Sequence, residues 1–450
     1  MLRKKKDKNS KSGGEPVLPA LEFKPVNADK QQAQGLMVAC RQVEQYPLLV
    51  TLIAQAVSVR ADQVLLDYTV QGASIRYRVD GMWETMPPMD RPNGDKVLEI
   101  FKRLAGMNFA DRRTKQKGKL PIACAGDWIL EILSQGTPNG ERVLVKIDPK
   151  KPILKTLSDL GMRDKMQEQL KGLLNANDAV VVVSGAAGHG LPTMWRVVLE
   201  AADRYVRDFH IIEDKITAEA ELINITQHLF DSSAGETPKN VLASLLLKQP
   251  DVLVMPDFIN EETLQTIIEE VIEEHRHCIT KIVAPSAAEA YVKLLTTHKK
   301  QSKNLIKAIS SVLNVRLVRR LCEKCRQPFQ PNPQLLQKLG IPSGRVTTMY
   351  QAFIPPPPEQ RVDAKGNPIE IEICERCGGR GFYGRAGIFE LLQITDEIRK
   401  VAETNPTVEA IVQVARKVGH RTLQDEGVLA VATGMTSLQE LQRVMAPAKA

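Results

Sequence analysis

Four cysteines in two closely spaced pairs carry the clearest chemical signal in this sequence. Cys322 and Cys325 form one Cys-x-x-Cys pair and Cys374 and Cys377 form the other, with residues 326–373 between them. Two such pairs can present four thiolates tetrahedrally to one Zn²⁺ ion, which leaves no coordination position open for a substrate. A redox role is disfavoured, because neither pair sits at a helix start beside a thioredoxin-like strand. The sequence therefore predicts one structural zinc ion bound by these four residues.

A glycine-rich loop is the second group of residues that could do chemistry. It follows an apolar run, precedes a predicted helix, and consists of Gly185, Ala186, Ala187, Gly188, His189, Gly190, Leu191, Pro192 and Thr193. A strand, a glycine loop and a helix form the setting in which backbone N–H groups bind phosphate. The loop thus predicts the scaffold of a nucleotide site. His189 is interpreted as an exposed residue of this loop and not as a catalyst.

Two positions of this loop lack the groups that phosphate binding needs. A lysine should follow the last glycine to contact the β- and γ-phosphates, and a serine or threonine should come next to bind Mg²⁺. Leu191 and Pro192 stand at those positions. Leu191 has no charge, and Pro192 has neither a hydroxyl nor a backbone N–H. Because proline is well tolerated in the first turn of a helix, we expect the fold to persist while affinity for ATP and Mg²⁺ falls.

The elements that must position these residues alternate between strands and helices. Strands are predicted at 179–184, 209–212, 252–255 and 279–283, with helical stretches between them. The first of these runs is rich in β-branched residues and apolar on both sides, as expected of a strand buried on both faces of a parallel sheet. The alternation predicts an α/β sheet with crossover helices.

The first part of the chain has a different pattern. An apolar helix from Tyr46 leads into alternating strands at 64–68 and 75–79, followed by a turn at Asp80 and Gly81. This pattern predicts a small α+β domain over residues 40–149, with a hinge at 150–152. Residues 1–35 are polar and contain several glycines and prolines, so they are predicted to form a basic, disordered tail and linker.

Length and composition set broader limits. A chain of 450 residues suggests two or three domains, and 43% apolar with 25% charged residues is typical of a soluble globular protein. The sequence contains no apolar run of about 18 residues that could cross a bilayer, and its start lacks the apolar stretch of a signal peptide. Cysteines without an export signal favour metal binding over disulfides and a reducing cytoplasm.

The net charge of +8 is concentrated in part at the start of the chain. The basic side chains there are Arg3, Lys4, Lys5, Lys6, Lys8 and Lys11. A solvated tail is the favoured interpretation, and contact with anionic lipid is an alternative worth about 1 kcal/mol per basic side chain. Nucleic acid is a third option. All three require only exposed positive charge, so the tail does not separate them.

Two stretches around the cysteines closely resemble the zinc segment of the type II secretion and type IV pilus assembly ATPases. They read VRLVRRLCEKC at 315–325 and CERCGGRGFYGRAGIFELL at 374–392. TLQDEG at 422–427 and GMTS at 434–437 fit the same family, as do RYRVDG at 76–81 and DRR at 111–113. The resemblance extends over residues 45–445.

The resemblance implies a ring of six subunits that works with an inner-membrane platform protein. It implies a RecA-like ATPase-type domain over residues 155–450, including a zinc segment at 316–390, after a smaller PAS-like domain. The expected fold class is therefore α/β, with a parallel sheet, a zinc-knuckle insertion and a helical C-terminal end, preceded by the α+β domain. The implied location is the cytoplasm, peripheral to the inner membrane.

The residues that handle phosphate in this family are only partly present here. Glu213 and Asp214 stand where the family has its Glu-Asp box, and Asp257 keeps a carboxylate near the expected Mg²⁺ position. Residues 282–284 read Ile-Val-Ala where the resemblance implies a Thr-Leu-His box. Positions at which it implies arginine hold Glu131, Ala243 and Leu247. Because phosphoryl transfer depends mainly on positioning and charge stabilisation, these losses predict a pseudoenzyme.

Three functional hypotheses follow. The leading one is an inactive subunit that forms a homo-hexamer or a mixed ring with an active homologue, as a scaffold or regulatory partner. The alternative is a slow or unorthodox ATPase that uses Glu213 and Asp257, and the retained acidic pair favours it. The third, a nucleic-acid-binding RecA-like protein, gains support only from net charge, since a fold alone does not establish a function. No specific nucleic-acid partner is expected.

Overall fold

The computed structural model describes residues 18–25, 30–258, 260–342, 344–357, 360, 361, 367 and 369–446. The six basic residues of the predicted tail lie outside these ranges, so the lipid hypothesis stays a prediction. The chain divides into two compact units between Ile153 and Leu154. We call them the N-terminal unit and the C-terminal unit.

The N-terminal unit is a seven-stranded antiparallel sheet with three helices. The strand order is β1-β5-β6-β7-β2-β3-β4. The strands are β1 (Leu21–Phe23), β2 (Ala61–Tyr68), β3 (Gly72–Val79), β4 (Met82–Asp90), β5 (Gln116–Cys124), β6 (Asp127–Thr137) and β7 (Gly140–Pro149). The helices are α1 (Lys30–Arg41), α2 (Tyr46–Ser58) and α3 (Arg91–Leu104). One face of the sheet packs against the helices in a single apolar core.

Local sequence explains several boundaries in this unit. The predicted turn joins β3 to β4, and its residues Asp80 and Gly81 have φ angles of 51° and 84°. Two successive positive φ angles are the requirement of a tight hairpin turn whose twist matches that of the strands. Helix α3 begins where the Asp90 carboxylate accepts a hydrogen bond of 2.9 Å from the Asn93 N–H, which satisfies one of the free donors at the helix start.

The prediction of a disordered tail and linker through residue 35 is wrong over part of its range. Leu21–Phe23 forms strand β1 and pairs antiparallel with β5, and α1 begins at Lys30. Phe23 is 2% exposed and packs into the core of the N-terminal unit. Three residues are too short a run for alternation to reveal a strand, so only pairing with a distant strand identifies it.

The C-terminal unit contains a second seven-stranded sheet in the order β10-β9-β11-β12-β8-β13-β16. All neighbours are parallel except β13 and β16. The strands of this unit, including a separate β14–β15 pair, are β8 (Val180–Gly185), β9 (Phe209–Asp214), β10 (Thr226–Phe230), β11 (Val252–Met255), β12 (His277–Val283), β13 (Ile309–Leu321), β14 (Gln327–Phe329), β15 (Met349–Gln351) and β16 (Phe382–Gln393).

Helices cover both faces of this sheet. They are α4 (Asp164–Leu174), α5 (Leu191–Ala201), α6 (Pro238–Leu246), α7 (Glu261–Ile272), α8 (Ala287–Thr297), α9 (Ser302–Ala308), α10 (Pro333–Lys338), α11 (Asp396–Thr404), α12 (Val408–Lys417), α13 (Leu423–Ala432) and α14 (Leu438–Met445). Two 3₁₀ turns lie at Ser232–Ala234 and Lys299–Gln301. The α/β fold class predicted from sequence is confirmed, including the parallel sheet and the helical C-terminal end.

Strand β8 has the burial on both faces that its apolar sequence predicts. Every residue of β8 is buried. Val180 and Val182 face one apolar core, whereas Val181 and Val183 face the other. The parallel strands β8, β9, β11 and β12 all end at the same edge of the sheet, because the carboxyl ends of parallel strands coincide. That edge therefore carries the glycine loop, Glu213 and the residues that follow β11 and β12.

Candidate metal centre and phosphate loop

The four cysteines of the two pairs come together in space. The Sγ atoms of Cys322 and Cys374 are 3.8 Å apart, and those of Cys325 and Cys377 are 3.6 Å apart. All four sulfurs lie within 4.8 Å of one another. A tetrahedral ion with Zn–S bonds of about 2.3 Å separates its sulfur ligands by about 3.8 Å. The cluster could therefore hold a metal such as zinc.

Tight turns place these sulfurs. Cys322 follows the last residue of β13, and its N–H donates to the Gly381 carbonyl over 3.0 Å, which joins the two halves of the cluster. In the second turn, the Gly378 N–H donates to the Cys374 carbonyl over 2.8 Å. Gly378 and Gly379 have φ angles of 59° and 79°, a conformation that glycine adopts without steric cost. The glycines after the second pair are thus explained by the turn.

The surroundings of the cluster favour the thiolate form of one cysteine. Backbone N–H groups, chiefly that of Cys377, donate to the Cys374 sulfur and lower its pKa to about 7, whereas burial raises the pKa of Cys322. Arg376 and Glu323, one from each turn, form an ion pair of 3.3 Å. Within the described part of the chain, no other group of three or more such side chains brings its ligand atoms this close.

The glycine loop has the backbone of a phosphate-binding loop. Gly188 and Gly190 have φ angles of 76° and 84°, and α5 begins directly after Gly190. A Cβ atom on Gly190 would lie 3.2 Å from Leu317 on β13. Only a residue without a side chain fits this close approach in a left-handed conformation.

The side chain after the last glycine belongs to the protein core. Leu191 is 8% exposed and packs in the apolar cluster that contains Val183 and Val315. Pro192 is exposed at the second position of α5. The structure therefore provides neither a cation nor a hydroxyl at these two positions, in agreement with the sequence.

The interpretation of His189 as an exposed loop residue needs correction. His189 is half-buried, and its Nδ1 accepts a hydrogen bond of 3.2 Å from the backbone N–H of Leu317. Burial, followed by the charge of Arg316, lowers the pKa of His189. A neutral imidazole thus fastens the loop to β13. The contact joins residues far apart in sequence, so no local pattern could reveal it.

The two acidic residues at the end of β9 have different surroundings. Glu213 is 5% exposed, and its Oε2 accepts a hydrogen bond of 2.8 Å from the Gln227 amide; burial raises its pKa. Asp214 accepts a hydrogen bond of 3.0 Å from the Ile216 N–H, and this contact lowers its pKa. Each carboxylate therefore already has a partner from this chain.

A lysine with no role predicted from the sequence lies beside this acidic pair. Lys281 on β12 forms an ion pair of 2.5 Å with Glu219, and its Nζ lies 5.0 Å from the centre of the Trp195 ring on α5. Lys281 is aligned with Val183 of β8. The cavity next to Glu213 measures only 20 Å³, room for about one water molecule. The available signal in the sequence was a charged residue inside the predicted strand at 279–283.

The remaining predicted positions have different surroundings. Asp257 is exposed just beyond β11. The N–H of buried Ala284, after β12, donates to the Gly185 carbonyl over 3.1 Å. Leu247 is 85% exposed and Ala243 is exposed, both where arginine was expected. Glu131, in the N-terminal unit, pairs with two lysines of its own sheet, which lower its pKa.

Comparison with known proteins decides the family. A family model described as "Type II/IV secretion system protein" matches residues 42–443. The chain belongs to this family. The finding confirms the resemblance drawn from the cysteine segments. Across the residues that the structure describes, no helix is both long and apolar enough to span a bilayer.

Curated relatives from several bacteria share about a quarter of their residues with this family member. The type II secretion system protein E of Dickeya dadantii is 26% identical over 400 residues, covering 88% of this chain and 75% of its own length. The protein transport protein HofB homolog of Escherichia coli is 27% identical, covering 92% and 84%. The type IV pilus assembly ATPase PilB of Thermus thermophilus is 26% identical over 87% of this chain, which spans only 42% of PilB.

Solved structures support the fold. The ATPase DotB of Legionella pneumophila aligns over 88% of this chain and 94% of its own, with a TM-score of 0.57 and 11% identity. The pilus retraction motor PilT, solved with bound ADP, aligns over 88% and 97%, with a TM-score of 0.52 and 14% identity. At this identity the similarity shows a common fold and leaves function to the residues of the site.

Proposed function

We propose that this chain is a pseudo-ATPase subunit of a type II secretion or type IV pilus-like assembly machine. The observation that carries the proposal is the burial of Leu191 in the core at the position where a phosphate-binding loop has its lysine. A nucleotide in this loop would lose charge-assisted hydrogen bonds worth about 1.5 to 3 kcal/mol each. Each such loss lowers affinity roughly tenfold or more.

Contacts within the chain add to this loss. Gln227 donates a hydrogen bond to Glu213, the first carboxylate of the Glu-Asp box, and Lys281 forms an ion pair with the neighbouring Glu219. A carboxylate that is buried with a raised pKa and bound to an amide is a poor ligand for Mg²⁺, because hard cations select ionised oxygen ligands. Mg²⁺ would therefore have to displace existing hydrogen bonds at a site that already lacks its threonine or serine.

The cysteine cluster has a structural role in this proposal. Four thiolates from Cys322, Cys325, Cys374 and Cys377 leave no open position, so a bound zinc ion would tie the end of β13 to the start of β16 and would not take part in catalysis. The metal would stabilise the segment by binding only to its folded form.

Assembly is the remaining part of the proposed function. The family membership supports a ring, either a homo-hexamer or a mixed ring with an active homologue, beneath an inner-membrane platform protein. Glu131, Ala243 and Leu247 provide no cation to reach a phosphate on a neighbouring subunit. Direct protein contacts, or neighbours that still bind ATP, must then hold the ring together.

Phosphate release from MgATP by the purified chain tests the proposal. We expect no turnover above the rate without protein, while an active relative such as a type II secretion system protein E, assayed in parallel, shows that the conditions are adequate. Turnover approaching about 1 s⁻¹, the low end for ordinary enzymes, would instead establish the slow ATPase that uses Glu213 and Asp257.

A further inference from the structure

Strand β10 forms an edge of the sheet in the C-terminal unit and carries neither a proline nor a charged residue. It pairs with β9 on one side, and no other described strand pairs with it. Its sequence, TQHLF, contains no proline and no charged residue. The other edge strand of this sheet, β16, carries an arginine and a glutamate, and β4 of the N-terminal unit has two prolines. Proteins usually blunt exposed edges in these ways, because an unprotected edge accepts another strand.

A groove runs alongside this edge. Its cavity of about 820 Å³ is lined by three consecutive residues of β10, Gln227, His228 and Leu229. The opposite wall is one stripe of α6 that continues two residues past the helix end, Asn240, Val241, Ser244, Leu245 and Lys248. Three consecutive strand residues line the groove, so it faces the open edge of β10 and not only one face of the sheet. The stripe covers two helical turns, about 12 Å, which matches about four residues of extended chain.

A hydrogen-bonded chain of side chains prepares His228 to accept a hydrogen bond. His210 Nε2 lies 2.8 Å from an Asp208 carboxylate oxygen, and His210 Nδ1 lies 2.8 Å from His228 Nε2. The carboxylate can only accept, so a neutral His210 donates from Nε2 and accepts at Nδ1. His228 must then donate from Nε2, which leaves its Nδ1 as an acceptor. Burial is the largest cause that lowers the pKa of His228, and nearby His210 and Lys248 lower it further. The lowered pKa keeps the His228 ring neutral.

The chemistry of the groove matches a polypeptide backbone and polar side chains. It offers one acceptor at His228, amide and hydroxyl groups at Asn240 and Ser244, and an apolar floor at Val241 and Leu245. The two charged lining residues, Glu236 and Lys248, have opposite signs, and the Glu236 carboxylate already accepts the Asp231 N–H over 2.8 Å. A strongly charged ligand therefore gains little here.

We propose that the groove between β10 and α6 binds an extended, uncharged peptide segment of a partner protein, which adds a strand to the edge of β10. Main-chain hydrogen bonds to β10 would supply the affinity, as in other cases of strand addition. A serine, threonine, asparagine or glutamine of the peptide would donate to His228 Nδ1 and supply specificity. This inference concerns a site at the edge of the sheet and does not depend on whether the phosphate loop binds nucleotide.

A library of random octapeptides displayed on phage, selected on the purified full-length chain, tests the inference. We expect enrichment of uncharged, β-forming peptides that carry a hydroxyl or amide side chain. A synthetic peptide with an enriched sequence should slow hydrogen exchange at the amides of residues 226–230. His228→Phe should weaken its binding about two- to tenfold, the effect of one hydrogen bond.

Two tryptophan variants on α6 provide the matched comparison. Ser244→Trp fills the groove and should reduce peptide binding at least tenfold, whereas Ala243→Trp, one residue away on the same helix and outside the groove, should leave it unchanged. Both residues are exposed, so both variants should fold. The inference is overturned if no peptide is enriched over the Ser244→Trp variant, or if exchange slows at amides elsewhere and not in β10.

Discussion

The cysteine cluster and the phosphate loop lie in the same unit and differ in what they have kept. The cluster has both its geometry, with sulfurs within 4.8 Å of one another, and the ligands that a metal requires. The loop has its geometry, with left-handed glycines before α5, but Leu191 and Pro192 supply no group that binds phosphate. Residues that serve folding are retained in both places. Residues that would serve only nucleotide chemistry are missing from one.

Under the proposed pseudo-ATPase function, the difference shows how a site can lose chemistry without losing structure. A leucine in place of the loop lysine adds packing to the core, and a proline in the first turn costs the helix no internal hydrogen bond. By contrast, a cysteine lost from the cluster would leave three thiolates and an incomplete metal site. The fold of the loop is therefore compatible with the absence of phosphate-binding side chains, whereas the metal site of the cluster requires all four cysteines.

Removal of one metal ligand should have the largest effect. Cys374→Ala should abolish stoichiometric metal and unfold the segment between β13 and β16, because structural zinc contributes about 10 kcal/mol or more of folding free energy in small zinc domains. Metal analysis and thermal unfolding measure the two effects. Cys124→Ala, at a buried cysteine outside the cluster, is the control and should keep one zinc ion per chain. Equal zinc content in both variants would refute the ligand assignment.

Placing a lysine at residue 191 should have the next largest effect. Leu191→Lys replaces a core side chain with a charged one and should lower the free energy of unfolding by about 2 to 4 kcal/mol. Pro192→Thr, at the exposed neighbouring position, should change it by less than about 1 kcal/mol. Urea denaturation compares the two. If Leu191→Lys were as stable as the unchanged protein, the loop could accept a lysine without disturbing the core.

Loss of the contact between His189 and β13 should have a smaller effect that depends on pH. The pKa of His189 is lowered in the folded protein, so its contribution is complete above pH about 6.5, the usual histidine pKa. That contribution is lost as the pH falls through the folded-state pKa. His189→Ala should lower the free energy of unfolding by about 1 kcal/mol at pH 8, and by less under acid conditions.

A non-titratable position of the same loop serves as the control for this pH dependence. Ala187 is exposed, and Ala187→Ser adds and removes no titratable group, so this variant should leave the difference between pH 8 and acid conditions nearly unchanged. An identical response of the two variants across the pH range would show that the Leu317 N–H contact does not stabilise the loop.

Addition of an ATP analogue should have the smallest effect, which concerns the oligomeric state. The proposed assembly has no arginine at residues 131, 243 and 247 with which an ATP analogue could bridge neighbouring subunits, so sedimentation of the chain should be the same with and without the analogue. Concentration, or an added active homologue, should change the oligomeric state instead. A monomer that becomes a hexamer only with the analogue would show that the site still binds nucleotide and couples it to assembly.

Local sequence was sufficient for much of this fold. Three features that depend on neighbouring residues were predicted. They are the buried run before the glycine loop, the strand Val252–Met255 and the Asp80-Gly81 turn. Two other contacts join residues that are far apart in the sequence. His189 and Leu317 are 128 positions apart, and Lys281 and Glu219 are 62 positions apart. Such contacts depend on tertiary structure, which no pattern within a window of sequence contains. Strand β1 was missed for the same reason.

Binding of a fluorescent ATP analogue in the presence of Mg²⁺ is the most direct test of the central claim. Because the loop lacks its cation and its hydroxyl, we predict no saturable binding below about 1 mM, a free energy weaker than about 4 kcal/mol. An active relative titrated under the same conditions shows what an intact loop achieves. Saturable, Mg²⁺-dependent binding at micromolar concentrations, abolished by a tenfold excess of ATP, would contradict the proposal that this chain is a pseudo-ATPase.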